Sequence, residues 1–435
     1  RRRYSQAGNP VRTVRDDSDV EKQQYTPTVS QKTPATPDQT EKLPLHIPLD
    51  IELYDPQGNV IALKQNGQTV SNVLNVTEAE QTFVFDEVEY PPVPSLLREF
   101  SAPVKLDYKW GDHQLTFLMK YARNDFARWD AAQSLLAIYI KLNVARHQQK
   151  QPLSLPLHVA DAFRAVLLDE NIDPALAAQI LTLPSENEIA ELFDIIDPEA
   201  ISAVHDAITR CLATEMTDEF LAVYHANRLP AYRVVHEDIG KRSLRNTCLH
   251  YLAFADVTLA DQLVKAQFEQ ADNMTDSLAA MSAAVSAQLP CRESLMTAYD
   301  ERWHHDGLVM DKWLILQATS PAADVLQKVR SLLNHRSFSM GNPNRVRSLV
   351  GAFASANPSA FHAADGSGYQ FLTEMLTDLN TRNPQVAARM IEPLIRLKRY
   401  DQNRQALMRQ ALEQLKGLEN LSGDLFEKIT KALEA

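Results

Sequence analysis

Near residue 105 the spacing of apolar residues changes, and that one change splits the chain between two architectures. Before it, Leu45 to Tyr54 alternates through Ile47, Leu49, Ile51 and Leu53, and Gln81 to Val88 through Phe83 and Phe85. A two-residue repeat of this kind marks strands with one buried face. Asp55-Pro56-Gln57-Gly58-Asn59 is a turn, because Pro fixes φ and Gly supplies the left-handed conformation. Thr33 to Asp38 carries two prolines that cannot donate to a ladder and is expected to be a loop. Pro91, Pro92 and Pro94 break the chain again before a last strand from Pro103 to Tyr108. The pattern predicts a small antiparallel β-sandwich over residues 1–105.

From Asp112 onward apolar residues recur at three and four. Helix starts are written as a capping side chain followed by proline at Asp173-Pro174, Asp197-Pro198, Ser320-Pro321, Asn342-Pro343, Asn357-Pro358 and Asn383-Pro384. Ser185 and Glu188 form a capping box. Connections are short, so successive helices should pack as antiparallel neighbours. No repeat of fixed period is visible, yet stacked helix pairs predict a large all-α superhelical, solenoid-like domain over residues 106–435, with a concave face. In Asp365-Gly366-Ser367-Gly368 the glycines allow a sharp reversal before the next apolar run.

A chain of 435 residues, 45% hydrophobic and 23% charged, has material for more than one core. Its net charge of -12 argues against a nucleic-acid binder, which works through a basic surface set against phosphate. Cys211, Cys248 and Cys291 lie in apolar helical contexts, which points to core thiols in a reducing compartment and away from a disulfide framework. No apolar run reaches membrane-spanning length. His304-His305-Asp306 has no second ligand cluster to make a metal site. Trp129, Trp303 and Trp313 are expected in packing, and no nucleophile-elbow motif accompanies any serine.

The stretch from residue 342 to 409 inverts the acidic character of the whole. Arg345, Arg347, Arg382, Arg389, Arg396, Arg399, Arg404 and Arg409 face only Asp365, Glu374, Asp378, Glu392 and Asp401. Helix salt bridges such as Glu392 to Arg396 would absorb most of them. Gln385, Arg389, Glu392 and Arg396 form one polar stripe, opposite Val386, Met390, Ile391 and Leu394. Pro393 cannot bond the carbonyl of Arg389, so the helix should kink there.

Four segments carry a family resemblance. They are Tyr4-Ser5-Gln6-Ala7-Gly8-Asn9-Pro10, Asn124 to Gln133, residues 342–389, and Leu394 to Tyr400. Together they resemble, nearly end to end, the C-terminal half of the bacterial aminopeptidase N family, zinc-dependent alanyl aminopeptidases of the gluzincin class. The His-Glu-x-x-His that such a zinc site needs is missing: His236-Glu237 is followed by Asp238, Ile239 and Gly240. The family's Gly-Ala-Met-Glu-Asn motif is missing too. The resemblance therefore implies a chain with no catalytic residue and no metal ligand of its own, inactive alone. Zinc, general base and oxyanion-stabilising tyrosine would belong to an absent N-terminal catalytic half. That half and peptide substrates are the expected partners, in the cytoplasm, without nucleic acid or membrane. The resemblance further implies that the helical domain caps the catalytic domain and walls a peptide chamber, with Arg347, Gln385 and Arg389 facing bound substrate. A planar guanidinium suits the carboxylate at the far end of a peptide. The alternative is a non-catalytic helical-solenoid module that binds peptides or a protein partner.

Overall fold

The computed structural model describes residues 6–96 and 105–434. Tyr4 and Ser5 of the first resembling segment, and the first two residues of the strand expected from Pro103, lie outside the described residues.

The first sheet is built on a hairpin of β1 (Val11–Asp19) and β2 (Gln24–Lys32), in register from Val11 opposite Lys32 to Asp19 opposite Gln24. Further along the chain follow β3 (Ile47–Asp50), β4 (Glu52–Tyr54), β5 (Val60–Ile61), β6 (Lys64–Gln65), β7 (Gln68–Thr69), β8 (Val73–Val76), β9 (Glu80–Thr82), β10 (Val93–Ser95) and β11 (Lys105–Asp107). The sheet orders are β11-β1-β2-β9 and β10-β4-β5, with β3 paired to β8 and β6 to β7. Val14, Tyr25 and Val29 of the hairpin meet Ile47, Leu49, Ile51, Leu53, Leu74, Val76 and Phe85 in one core.

The hairpin, the longest β element, is not marked by apolar alternation. Two of its inward positions are polar, Arg12 and Gln31, both buried. Gln31 behaves there like a piece of backbone: its amide donates to the carbonyls of Leu45 and Glu78 at 2.7 and 3.0 Å, and its Oε1 accepts from Leu45 N at 2.7 Å. The expected strand over Leu45 to Tyr54 divides at Ile51 between two pairings. In β4 the period fails, because Glu52 and Tyr54 are buried along with Leu53. Glu52 is satisfied inside by the Tyr54 hydroxyl and by the Arg123 guanidinium at 2.9 Å.

The chain divides into two compact units, one holding residues to Leu136 with Leu157–Asp169, the other Ala137–Pro156 with Glu170–Ala435. In the second unit the helix His236–Ala255 is central. It packs against Pro174–Leu181, Pro198–Glu215, Thr217–Ala226, Val257–Gln270 and Met274–Ser286. Gly240, in the place where a zincin would need its second histidine, serves close packing: a Cβ there would come within 3.2 Å of Ala175 N. Asp173, Asp197 and Ser185 cap their helices through side-chain oxygens.

Ser320-Pro321 does not start a helix; the next one begins at Val325. The carbonyls of Ala318 and Ser320 there accept from Asn357 Nδ2, both at 3.0 Å. The Asn357 side chain makes no capping bond to its own helix, Pro358–Phe361, whereas Asn342 and Asn383 accept from backbone N–H groups of theirs. Among the described residues no helix is long and apolar enough to cross a membrane.

Candidate functional site

The second unit holds a cavity of about 750 Å³ whose lining includes Arg347, Gly351, His362, Arg389, Glu392, Arg396 and Tyr400. Its first wall is a continuous helical run: α-helix over Pro343–Val346, a π turn over Arg347–Gly351, then α-helix over Ala352–Ala356. A π turn inserts one extra residue per turn and re-aims side chains, which is why such turns recur at functional sites. The run is anchored just before the turn. Arg345, buried, makes a two-pronged ion pair with Asp311, Nε to Oδ1 at 2.6 Å and Nη2 to Oδ2 at 2.8 Å. Arg347, two residues on, is exposed and bonds to Asn344 Oδ1 at 3.0 Å. These two arginines of one sequence cluster therefore do different work.

The second wall is the helix Pro384–Met390, capped by Asn383 and ended at Ile391. A separate short helix, Glu392–Ile395, begins with Pro393 in its first turn. The break falls where the missing N–H of Pro393 requires it. Arg389 is exposed beside this break and has no side-chain partner among the described residues. Gln385, one turn earlier, is exposed and lines an adjoining cavity of about 510 Å³ together with Arg389. The three residues implied by the resemblance thus lie on two neighbouring cavities: Arg347 on the first, Gln385 on the second, Arg389 on both.

Most of the other arginines are occupied. Arg382 pairs with Asp378, and Arg404 is buried between Asp401, Glu199 and the carbonyl of His362. Arg399 donates to the carbonyls of Ala190 and Phe193, at and just beyond the end of the helix Glu186–Ala190. The expected Glu392 to Arg396 bridge does not form. Glu392 pairs with Lys428 at 2.5 Å, and Arg396 lies 3.7 Å from Glu191. The helix that Glu392 opens ends at Ile395, so Arg396 stands at its non-helical C-cap, off the regular i,i+4 geometry.

His362 was not among the sequence candidates, yet it lines the cavity. Its Nδ1 meets the Tyr369 hydroxyl at 2.7 Å and its ring stacks on Tyr400 at 4.1 Å. Burial, reinforced by the nearby Arg404 charge, lowers its pKa from 6.5 to about 3. Between those values the unfolded chain binds a proton that the native state refuses. The stabilisation is therefore complete above the unfolded pKa and lost as pH falls. From pH 7 to pH 5 this group should remove on the order of 2 kcal/mol of unfolding free energy. Denaturant titrations at several pH values should show a flatter dependence in His362→Gln, by about 1 kcal/mol per pH unit between pH 6 and 5.

The other sequence candidates have structural surroundings. The His304 ring reaches the carbonyls of Asp300 and Glu301, while Asp306 caps the helix Gly307–Ala318. Trp313 is buried and its indole N–H donates to Met296 O at 2.9 Å; Trp129 and Trp303 are half-buried. Among the described residues no three His, Cys, Asp or Glu side chains group as a metal site.

Comparison with known proteins gives the architecture a family. Residues 8–109 match a domain of unknown function, DUF3458, with an Ig-like fold, and residues 112–434 match DUF3458_C, described as ARM repeats. The chain belongs to the DUF3458 family. An Ig-like β domain is thus followed by a large helical-repeat domain. Over its whole length the chain is 73% identical to Aminopeptidase N of Escherichia coli, covering 50% of that protein, its C-terminal half. It is 50% identical to Aminopeptidase N of Haemophilus influenzae, again over 100% of the chain and 50% of the relative. The chain therefore spans about half the length of the curated relatives it matches. A crystal structure of Legionella pneumophila aminopeptidase A in complex with aspartic acid superposes with a TM-score of 0.81 at 27% identity, covering 99% of this chain and 49% of that one.

Proposed function

We propose that this chain is the non-catalytic half of a zinc-dependent aminopeptidase, and that its helical domain closes the peptide chamber and positions the substrate. In this reading a β-sandwich domain at 1–105 and a helical domain at 106–435 cap a catalytic domain that holds the zinc, the general base and the oxyanion-stabilising tyrosine. The reaction is removal of N-terminal residues from peptides, in the cytoplasm, where Cys211, Cys248 and Cys291 would stay as the free thiols they are. The relatives support it, since each is an aminopeptidase of about twice this length.

The observation that carries the site is a pair of exposed arginines, Arg347 and Arg389, that have no acidic partner among the described residues and lie on the lining of one cavity. A guanidinium fork binds a carboxylate through two parallel hydrogen bonds. Arg347, Gln385 and Arg389 thus serve substrate binding, with no proton transfer. In the full-length enzyme, Arg389→Ala should leave folding nearly unchanged. It should lower kcat/KM about tenfold or more for short peptides with a free C-terminal carboxylate, the worth of a lost charge-assisted contact. Amides that lack a carboxylate should be spared. Equal response of both substrate classes would return Arg389 to a solvated surface residue.

A further inference from the structure

Arg389 has no side-chain partner among the described residues, although a carboxylate lies three residues away. Glu392 is the one acidic side chain among the described residues lining the 750 Å³ cavity. It stands at i+3 from Arg389 and i-4 from Arg396, the two spacings at which side chains of opposite charge meet on a helix. It pairs with neither. Lys428, from the helix Gly423–Leu433, places its ammonium 2.5 Å from Glu392 Oε1 and 2.6 Å from the carbonyl oxygen of Ala388. Ala388 lies in the last turn of the helix that carries Arg389, where carbonyls lose their intrahelical partners. One ammonium therefore ties together the end of the Arg389 helix and the start of the Glu392 helix, on either side of the break at Ile391.

We propose that Lys428 is a positioning residue for this cavity: by holding Glu392 it keeps the cavity's carboxylate off Arg389 and leaves that guanidinium to the carboxylate of a peptide. This rests on the reading of Arg389 given above. Lys428 reaches no substrate itself and acts only through Glu392 and the helix end. Buried attachment of its helix through Leu425 and Ile429 fixes where the ammonium sits. The other charged groups around it, Asp424, Glu427 and Lys431, line the adjoining cavity, and Lys431 lies 4.0 Å from Glu427. With Lys428 removed, Glu392 is released towards Arg389 and competes with the substrate for it.

Four variants of the full-length enzyme test this: Lys428→Met, Glu392→Gln, the two combined, and Arg389→Ala, each assayed on an alanyl tripeptide with a free carboxylate and on an alanyl amide. Lys428→Met should raise KM for the tripeptide about two- to fivefold, the size of a half-exposed ion pair, with kcat and the amide kinetics unchanged. Adding Glu392→Gln should restore the tripeptide KM, and Glu392→Gln alone should leave it unchanged. A Lys428→Met effect of equal size on both substrates, or one that Glu392→Gln does not rescue, overturns the positioning role. So does an unchanged tripeptide KM in Lys428→Met when Arg389→Ala still discriminates between the substrates. If Arg389→Ala fails to discriminate, the carboxylate reading of Arg389 falls and this inference falls with it.

Discussion

Replacing Gly368 with alanine is expected to destabilise the helical unit by about 3 kcal/mol, the upper part of the range for overpacking. Gly368 sits in the first turn of the helix Ser367–Arg382. A Cβ there would lie inside the van der Waals radius of the Phe361 carbonyl oxygen and 2.7 Å from its carbonyl carbon. The obstacle is backbone, so no rotamer change relieves it. Phe361 is fully buried and packs edge-on against Phe353 and Tyr369, and its neighbour His362 lines the cavity. The strain therefore reaches both core and site. Gly366 is the useful control. Its φ of +78° favours glycine, but a Cβ there meets only the flexible tip of Leu407 at 3.3 Å, so Gly366→Ala should cost about 1 kcal/mol. Thermal unfolding should place Gly368→Ala roughly 6 °C or more below wild type, with Gly366→Ala between them. Equal melting temperatures for the two variants would contradict the close approach at Gly368.

The parts of this molecule legible in the sequence are those that local chemistry decides. Asp173, Asp197, Asn342 and Asn383 cap the helices that their Pro neighbours announce, because a short polar side chain reaches the free N–H groups without help from the rest of the fold. Pro393 breaks its helix for an equally local reason. Where a distant partner intervenes, the local reading fails. Asn357 donates its amide to carbonyls 37 and 39 residues away and makes no capping bond to the helix that Pro358 announces. Glu392 answers to Lys428, 36 residues on, in place of Arg396.

The site follows the same division. The excess of arginine between residues 345 and 409 is visible in the sequence, but which arginines are spent is decided by tertiary partners. Asp311 takes Arg345 from 34 residues away, and Glu199 reaches Arg404 from 205. His362 left no signal, since a lone histidine among alanines carries no pattern; the Tyr400 ring that covers it comes from another segment of the chain.

The account is tested most directly by assaying alanyl chromogenic amide hydrolysis with three preparations: this chain alone, the N-terminal catalytic half alone, and the two mixed. The chain has no His-Glu-x-x-His, and none of its described residues group as a metal site. The predicted result is no turnover and no stoichiometric zinc for this chain, with full activity only in the mixture. Metal-dependent turnover by this chain alone would contradict the account, as would a catalytic half whose amide hydrolysis is unchanged when this chain is added.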